Sequence, residues 1–438
     1  MSWKKVKLGQ LVDNFSVRAK DVGGAEGLDF YGVSNSEGII KTKYAAEDKA
    51  EDYKIIEKDC FAYNPYRVNV GSIGMVADNI RGLISPAYVI FKPKPNTIKA
   101  ELLFKFLKSS EGLRQIKFYA RGTVRQALRF EDLCNIELSI PNYDEQEILF
   151  EKLNNTQLES DLLSIELNHQ LDLVKKLRQQ LLQDAVQGKL VEQDKKDEPA
   201  SELLNKIKAE KEKLIAEKKL KKEKELPSIK PEEIPFEIPD NWVWCRLGGA
   251  CQINPRNKAE DELDVAFIPM PLISQLYNVT PEYQIKKWKE IKSGFTHFAN
   301  NDVVVAKITP CFENSKAGIM KDLPNGIGAG TTELYVIRGN ELVNPKIIYA
   351  FVKSSDFLKK GEKIMRGVSG QQRVPSDYLI NTLFALPPLA EQNRIIQKLD
   401  DLMQYCNDLE ASIKQSQQQN EKLLQQVLRE ALRGEGKE

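Results

Sequence analysis

The sequence has 438 residues, a formal net charge of +1, 41% hydrophobic residues and 29% charged residues. Since domains usually contain about 100–200 residues, this length predicts two to four domains, each able to form its own core. The composition excludes a collagenous or largely disordered chain, and no apolar run reaches the roughly 18–20 residues of a membrane span. The N-terminus lacks the apolar stretch of a secretory signal and the six cysteines form no CxxC pair, which together predict a cytoplasmic location.

Residues 1–144 predict the first mixed domain. Apolar runs at 87–91 and 135–140 have the length of strands, and 101–109 has the spacing of a short helix. Two polar, glycine-containing segments interrupt these elements. Their candidate binding residues are Asn64, Tyr66, Arg67, Asn69 and Ser72 in one segment, and Arg121, Arg125, Gln126 and Arg129 in the other.

Residues 145–235 predict a helical spacer followed by a linker. A heptad pattern runs from Leu149 to Leu181 and predicts a helix of about 40 residues, or roughly 60 Å. A second helical stretch at 195–226 is rich in Lys and Glu, which is typical of a solvated helix face. Prolines 227, 231, 235 and 239 then mark a linker.

Residues 236–390 predict a second mixed domain, with strands at 302–306 and 333–337 and a helix at 345–353. Its candidate binding residues are Lys307, Thr309, Asn314, Ser315 and Lys316 in one polar segment, and Arg366, Gln371, Gln372 and Arg373 in another.

Residues 391–438 predict a second long helix whose heptad pattern is that of the first, shifted by 246 residues. The shared register favours two helices that pack on each other along an apolar seam, although two unrelated amphipathic surface helices are an alternative. The predicted seam residues are Leu163, Leu167, Val174, Leu177, Leu181, Leu409, Ile413, Leu423 and Val427.

The pattern of the whole chain is an internal duplication. Trp3 and Leu8-Gly9 reappear as Trp242 and Leu247-Gly248, and Lys108-Ser-Ser reappears as Lys353-Ser-Ser. Arg121-Gly, Glu145-Gln and Ala185-Val-Gln-Gly have counterparts in the same order. A period this long indicates a duplicated domain pair. The predicted fold class is therefore α+β, with two similar mixed domains and two long helices.

Motifs for catalysis are weak. There is no Walker A pattern, and Gly326-Ile-Gly-Ala-Gly330 lacks the spacing of a dinucleotide-binding loop. Asn64-Pro65-Tyr66-Arg67 only partly matches the Asn-Pro-Pro-aromatic motif of amino-methyltransferases, because the second proline is missing. With two histidines, His169 and His297, the chain is poorly supplied for a catalytic triad or a His-rich metal site. We expect no catalytic residue and no metal site.

Several segments resemble the DNA-specificity (S) subunits of type I restriction–modification enzymes, and the resemblance covers nearly the whole chain. The segments that carry it are 181–190, 197–204, 207–215, 235–242, 71–74 and 388–393. The resemblance implies two target-recognition domains that each read half of a split DNA site, separated by two long antiparallel helices. It implies a non-catalytic subunit that binds double-stranded DNA, two methyltransferase subunits, and restriction–translocation subunits. S-adenosylmethionine, ATP and Mg²⁺ would then belong to those partners of a deoxyribonuclease and adenine methyltransferase complex.

In this interpretation the polar segments of both domains contact DNA, because Arg, Asn and Gln suit base edges and glycine allows close approach to phosphates. The alternative for the arginine loops is a solvated turn whose arginines pair with acids such as Glu131 or Asp377. For the whole chain, the alternatives are a coiled-coil adaptor that binds proteins, or a stand-alone nuclease.

Overall fold

The structure, a computed structural model, describes residues 3–35, 37–42, 47–68, 71–76, 80–121, 126–218, 220 and 225–433. The chain divides into two compact units. The first unit consists of Met1–His169 and Ile413–Glu438, and the second consists of Gln170–Ser412. Each unit therefore combines a globular fold with parts of both long helices. Among the described helices, none is long and apolar enough to cross a membrane.

In its described residues, the globular part of the first unit consists of short strands, short 3-10 helices and three α-helices. The strands are β1 (Trp3–Lys7), β2 (Val12–Asn14), β3 (Asp29–Ser34), β4 (Gly38–Lys41), β5 (Lys54–Ile56), β6 (Phe61–Tyr63), β7 (Ile73–Met75), β8 (Gly82–Ile84), β9 (Val89–Pro93) and β10 (Glu137–Pro141). The helices are α1 (Ala100–Lys108), α2 (Ser110–Tyr119) and α3 (Phe130–Leu133). The long helix α4 (Gln146–Val186) follows them.

The strands of the first unit form two four-stranded sheets, in the orders β2-β9-β6-β7 and β4-β3-β8-β5, and β1 pairs with β10. Strands β3 and β8 are parallel, and the other pairs are antiparallel. The core lies where the apolar face of α1 meets the first sheet. Phe61 and Phe91 stack there at 4.8 Å between ring centroids, and the first turns of α4 join the same core through Leu149 and Leu153.

The second unit contains an additional helix, α5 (Ala200–Ala216), and then repeats the same kinds of elements. Its strands are β11 (Val243–Arg246), β12 (Gln252–Ile253), β13 (Asp264–Ile268), β14 (Gln284–Lys287), β15 (Thr296–Ala299), β16 (Val303–Ala306), β17 (Ala317–Ile319), β18 (Ile327–Gly330), β19 (Leu334–Arg338) and β20 (Leu383–Leu386). Its remaining helices are α6 (Leu247–Ala250), α7 (Trp288–Ile291), α8 (Pro345–Lys353), α9 (Ser355–Glu362), α10 (Ser376–Asn381) and the long α11 (Leu389–Arg433).

The sheet topology confirms the predicted duplication. The second unit has the orders β12-β19-β16-β17 and β14-β13-β18-β15, and β11 pairs with β20. Each strand of the second unit thus occupies the sheet position of the strand numbered ten lower in the first unit. In both units, neighbouring strands of a sheet are often distant in the sequence. Even the single parallel pair recurs, as β13 with β18. The predicted α+β class with two similar mixed domains is confirmed.

A buried glutamine attaches each long helix to its own globular fold. At the start of α4, the Gln146 amide accepts from Lys99 N at 2.8 Å and donates to Thr97 O at 3.1 Å. Near the start of α11, the Gln392 amide accepts from Asn344 N at 2.7 Å and donates to Leu342 O at 3.2 Å. Both side chains are fully buried, and their hydrogen bonds satisfy backbone groups just before α1 and α8.

The two long helices pack antiparallel, as contacts within each unit show. In the first unit, Asn420 of α11 contacts Ser160 of α4, and Gln417 contacts Asn168. Residue numbers increase along α4 in the direction in which they decrease along α11, so the helices are antiparallel. In the second unit, Arg178 of α4 forms an ion pair with Glu410 of α11 at 3.0 Å. Every seventh residue forms a buried row, namely Leu153, Ser160, Leu167, Val174 and Leu181 on α4, and Leu399, Cys406, Ile413 and Asn420 on α11.

The predicted seam needs correction at four positions, because Leu163, Leu177, Leu409 and Leu423 are exposed. The second row of each helix lies four residues after the first row, not three. It consists of half-buried residues, Ser164, Leu171 and Arg178 on α4 and Glu410, Gln417 and Leu424 on α11. Most of these side chains are polar, which suits a row at the edge of the seam, where they hydrogen bond or form ion pairs. Val427, at the end of the predicted seam, is partly buried against the core of the first unit.

The segment before the second globular fold is packed on it. Leu203, Leu204 and Ile207 of α5 are buried, while the lysine-rich face is largely exposed. Arg246 of β11 fixes the proline-rich linker: its guanidinium donates to Pro227 O at 3.3 Å and to both oxygens of Glu233 at 2.9 Å. One largely buried arginine thus holds the linker at residues 227–233.

Candidate nucleic-acid interface

The fold brings together the two predicted polar segments of the first unit. Leu128 N donates to Pro65 O at 3.0 Å, and the Leu128 side chain is fully buried. Arg121 and Ala127 exchange two backbone hydrogen bonds of 2.9 and 2.8 Å, which close the intervening loop. The described residues 64–68, 71–72, 121 and 126–129 therefore form one surface, which we call the first loop cluster. Arg125 and Asn69 lie outside the described residues.

Most described candidates of the first loop cluster are available to a ligand. Tyr66, Arg67, Gln126 and Arg129 are exposed, and Asn64 is half-buried with its Oδ1 accepting from Tyr66 N at 3.0 Å. Arg121 is 76% exposed, and its Nε lies 3.0 Å from Asp132 Oδ1. The predicted alternative partner was Glu131, the neighbouring residue. Ser72, just before β7, is only 6% exposed, so the structure supports it less than the exposed candidates.

The second unit brings its predicted segments together in the same way. Thr309 N donates to Gln372 O at 2.9 Å, and Gln372 N donates to Thr309 Oγ1 at 3.1 Å. Val374 N donates to Lys307 O at 2.9 Å, and Arg366 and Arg373 exchange backbone hydrogen bonds of 3.0 and 2.8 Å. Segments 307–316 and 366–373 form the second loop cluster. Its backbone hydrogen bond from Val374 N corresponds to the one from Leu128 N in the first cluster.

Arg373 is held by a two-pronged ion pair. Its Nε and Nη2 donate to the two carboxylate oxygens of Glu333 at 2.9 and 2.8 Å. These bonds lower the pKa of Glu333 below its ordinary value and raise that of Arg373. The alternative partner predicted from the sequence, Asp377, is not the partner that the structure shows. Because this geometry is the one an arginine uses toward a base or phosphate, Glu333 orients the guanidinium or competes with a ligand for it.

The other residues of the second loop cluster vary in exposure. Arg366, Gln371 and Asn314 are exposed, while Gln372, Lys307 and Thr309 are half-buried. The Lys307 ammonium lies 5.1 Å from the centre of the Tyr335 ring, and Lys316 Nζ donates to Met270 O at 3.3 Å. Ser315 has a φ of 55°, in the left-handed region that marks a tight turn. The cluster therefore offers amide, hydroxyl and cationic groups together.

In each cluster, one lysine holds the loops by donating hydrogen bonds to their backbone carbonyls. The sequence analysis did not single out these lysines as functional. In the second unit, Lys353 Nζ donates to Ser315 O at 2.7 Å and to Gln275 O at 3.0 Å. In the first unit, Lys108 Nζ donates to Gly71 O at 2.6 Å and to Asn35 O at 3.2 Å. The repeated Lys-Ser-Ser was visible in the sequence. Its role was not, because the acceptors are backbone carbonyls of distant loops.

The anchoring lysines are costly to bury. Lys353 is 2% exposed, and burial lowers its pKa to about 7, while burial lowers the pKa of Lys108 in the same direction. Each ammonium also lies over an aromatic ring, Tyr349 at 5.3 Å and Phe104 at 5.8 Å. Lys353 is buried and Lys108 is half-buried, and both donate to backbone carbonyls of loops, so we expect each loop cluster to depend on its lysine.

The described residues contain no group of three or more His, Cys, Asp or Glu side chains placed to hold a metal ion. His297, which is buried, is used structurally: Asn257 N donates to its Nδ1 at 3.2 Å, and its Nε2 lies 3.1 Å from Lys292 O. All six cysteines are unpaired.

Comparison with known proteins identifies the family. Residues 2–172 and 239–418 match the type I restriction modification DNA specificity domain, which thus occurs twice in this chain. The chain belongs to this family of DNA-specificity domains.

The curated relatives are named as specificity subunits. The chain is 50% identical over 257 residues to the type I restriction enzyme EcoAI specificity subunit of Escherichia coli, a match that covers 58% of this chain and 44% of the relative. It is 46% identical over 266 residues to the EcoEI specificity subunit, also of Escherichia coli, covering 60% of this chain and 45% of the relative. The matches thus span less than half the length of these relatives.

Solved structures share the fold. The HsdS subunit from Thermoanaerobacter tengcongensis aligns with a TM-score of 0.57 at 17% identity, covering 99% of this chain and 97% of that one. A chain from a structural study of complex assembly and conformational transition in the type I R-M system aligns with a TM-score of 0.60, also at 17% identity, covering 99% and 98%.

Proposed function

We propose that this chain is the DNA sequence-specificity subunit of a type I restriction–modification complex and has no catalytic activity alone. Each globular fold reads one half of a bipartite site in double-stranded DNA. Residues 1–144 and 236–390 are the two target-recognition domains, and 145–235 and 391–438 contain the helical spacers. The observation that carries this proposal is the pair of loop clusters, which have the same backbone connections but different exposed side chains.

The chemistry of the clusters suits direct reading of bases. Arginine forms paired hydrogen bonds with guanine, and asparagine or glutamine does so with adenine. The exposed side chains of the first cluster include Tyr66, Arg67, Gln126 and Arg129, and those of the second include Asn314, Arg366, Gln371 and Arg373. Different side chains on the same scaffold would read different half-sites. Lysine and arginine contacts with phosphates would add affinity that falls steeply with salt.

The long helices offer surfaces for partner subunits. Leu158, Leu162 and Ile165 of α4 are exposed in the first unit, and Tyr405 and Leu409 of α11 are exposed in the second. Exposed apolar groups along a helix are typical of protein interfaces. We assign these faces to two methyltransferase subunits, with the restriction subunits joining that assembly. The helices would then set the spacer between the half-sites. S-adenosylmethionine, ATP and Mg²⁺ would be bound by these partners, in the cytoplasm.

The test is a footprint of the full chain bound with its methyltransferase subunit on a cognate duplex. We expect two short protected blocks separated by bases whose identity can be changed without loss of affinity. One contiguous block without such a gap would contradict the two-reader assignment. Protein binding without salt-dependent DNA binding would support an adaptor instead, and cleavage of DNA by the chain alone would support a nuclease.

A further inference from the structure

The connection between β13 and β14 is much longer than its counterpart in the first unit. Strands β3 and β4 are joined by residues 35–37, whereas β13 and β14, at the same places in their sheet, are joined by residues 269–283. The longer connection starts with a 3-10 turn at Met270–Leu272 and continues as a loop at 273–280, which we call the inserted loop. The sheet itself does not require these residues, since the first unit forms the same sheet without them.

The inserted loop lies against the second loop cluster. Lys353 Nζ donates to Gln275 O at 3.0 Å and to Ser315 O at 2.7 Å, so one ammonium joins the inserted loop to the turn at Ser315. Ala317 N also donates to Ser274 O at 3.3 Å. The inserted loop therefore extends the surface that the second loop cluster forms.

A hydroxyl that the first unit lacks fixes the tip of the inserted loop. The Tyr349 hydroxyl of α8 donates to Leu276 O at 3.2 Å and accepts from Asn278 N at 3.2 Å. The Tyr277 ring stacks on the Tyr349 ring at 5.2 Å between centroids. In the first unit the equivalent ring, which also lies under the anchoring lysine, is Phe104. The loop and the hydroxyl that holds it thus occur together in the second unit.

The fixed backbone presents two neighbouring side chains to solvent. Leu276 is 57% exposed, and its backbone N donates to Ser274 Oγ at 3.0 Å. Gln275 is exposed, and its side-chain amide makes no hydrogen bond within the described part of the chain. An amide beside an apolar group matches an A·T base pair in the major groove, because the amide pairs with adenine N6 and N7 and the apolar group contacts the thymine methyl. A rigid backbone reduces the entropy that such a contact costs.

We propose that the inserted loop is a further DNA-reading segment of the second unit, in which Gln275 and Leu276 read an A·T base pair. This inference rests on the proposed function and adds to it a base pair that the loop cluster itself does not read. Residues 269–283 contain no Lys or Arg, so the loop contributes to the choice of bases and not to the attraction of phosphates.

The experiment uses the full chain bound to its methyltransferase subunit and duplexes based on the motif that the wild-type complex methylates. Competition binding with all four base pairs at each position measures discrimination. We expect Gln275→Ala combined with Leu276→Ala to lower discrimination about tenfold at one A·T position and to keep it elsewhere. Tyr349→Phe removes only the hydroxyl and should lower discrimination at the same position by about two- to tenfold. The salt dependence of affinity should not change.

The matched control is Gln284→Ala combined with Ile285→Ala, which removes the same kinds of side chain from exposed positions on β14. It should leave every base preference unchanged. Given a wild-type complex that reads a split motif, the proposal is overturned if Gln275→Ala with Leu276→Ala changes no preference, weakens all base pairs equally, or acts at a G·C pair. Weaker binding of the methyltransferase subunit with unchanged base preferences would make the loop a protein-docking surface and would also overturn it. A wild-type complex without base discrimination would instead contradict the proposed function, and this inference with it.

Discussion

Asn420 of α11 donates its side-chain amide to the backbone carbonyl of Ser160 on α4, at 2.9 Å. The same amide lies 3.1 Å from Ser164 Oγ, and Asn420 is buried in a seam row that is mostly apolar. A buried polar side chain in a helical seam costs stability, but it is satisfied in only one alignment of the helices. In the proposed function, that alignment decides how many base pairs separate the half-sites.

We predict that Asn420→Leu leaves the free energy of unfolding unchanged or raises it by about 1 kcal/mol, and that it loosens the alignment of α4 with α11. The measurement is DNA affinity on duplexes whose spacer is one base pair longer or shorter. The variant should tolerate these spacers better than the wild type. Gln418→Leu, on the exposed face of α11, is the control and should not change spacer tolerance. Equal tolerance in all three proteins would remove Asn420 from this role.

Arg373 tests the second loop cluster. We predict that Arg373→Ala lowers discrimination at one half-site by about 1–3 kcal/mol, because a two-pronged contact with a base is lost, and leaves the other half-site unaffected. Competition binding with single-base variants of each half-site measures this. Lys289→Ala removes a positive charge that pairs with Glu262 on the same unit and serves as the charge-matched control. If both variants lose affinity equally for all sequences, Arg373 contacts phosphate and not a base.

Lys353 tests whether each loop cluster depends on the lysine that donates to its loop carbonyls. Lys353→Met removes the donor to Ser315 O and Gln275 O, so loop 307–316 should lose its fixed conformation. We predict loss of discrimination at the half-site read by the second unit alone, and Lys108→Met should show the reverse selectivity. The control is Ile348→Ala, which creates a cavity in the core of α8 without removing a loop contact. If Ile348→Ala, at matched thermal stability, causes the same loss of half-site discrimination, then Lys353 contributes only to the stability of the fold and does not position the loop.

His297 gives the second unit a predicted pH dependence. Burial, and then the charge of Arg256, lower the pKa of His297 below its ordinary value of 6.5. The unfolded chain therefore binds this proton at higher pH than the folded chain does. The stability from neutral His297 is present above about pH 6.5 and is lost as pH falls through the lower, folded pKa.

We expect the urea midpoint of the wild type to fall more steeply between pH 7 and pH 5 than that of His297→Gln. His169→Gln, which changes an exposed histidine of α4, should follow the wild type. Parallel pH profiles for wild type and His297→Gln would show that His297 does not couple folding to pH.

Local patterns predicted the elements well, because those patterns are set within a few residues. The helix expected at 345–353 is Pro345–Lys353, and the strand expected at 302–306 is Val303–Ala306. The seam was predicted less well because leucine was preferred over polar residues, although Ser164 and Glu410 are more buried than Leu163 and Leu409.

The site was predictable in place but not in detail. The repeated arginine loops indicated which segments matter, yet the contact of Leu128 with Pro65 joins positions 63 residues apart in the sequence. Glu333 is the partner of Arg373 because β16 lies beside β19. The sequence alone does not show this strand pairing, so it favoured Asp377, which is nearer in the chain. Long-range strand order, which local propensity does not contain, determines which polar side chains meet.

The most direct test of two readers on one chain is the methylation pattern of DNA from cells that carry this chain with its methyltransferase subunit. We expect modified adenines in a split motif, with two short specified blocks around unspecified bases. Replacing Gln371 and Arg373 together should then change one block and leave the other intact. An unbroken motif, or a change of both blocks by this replacement, would contradict the account.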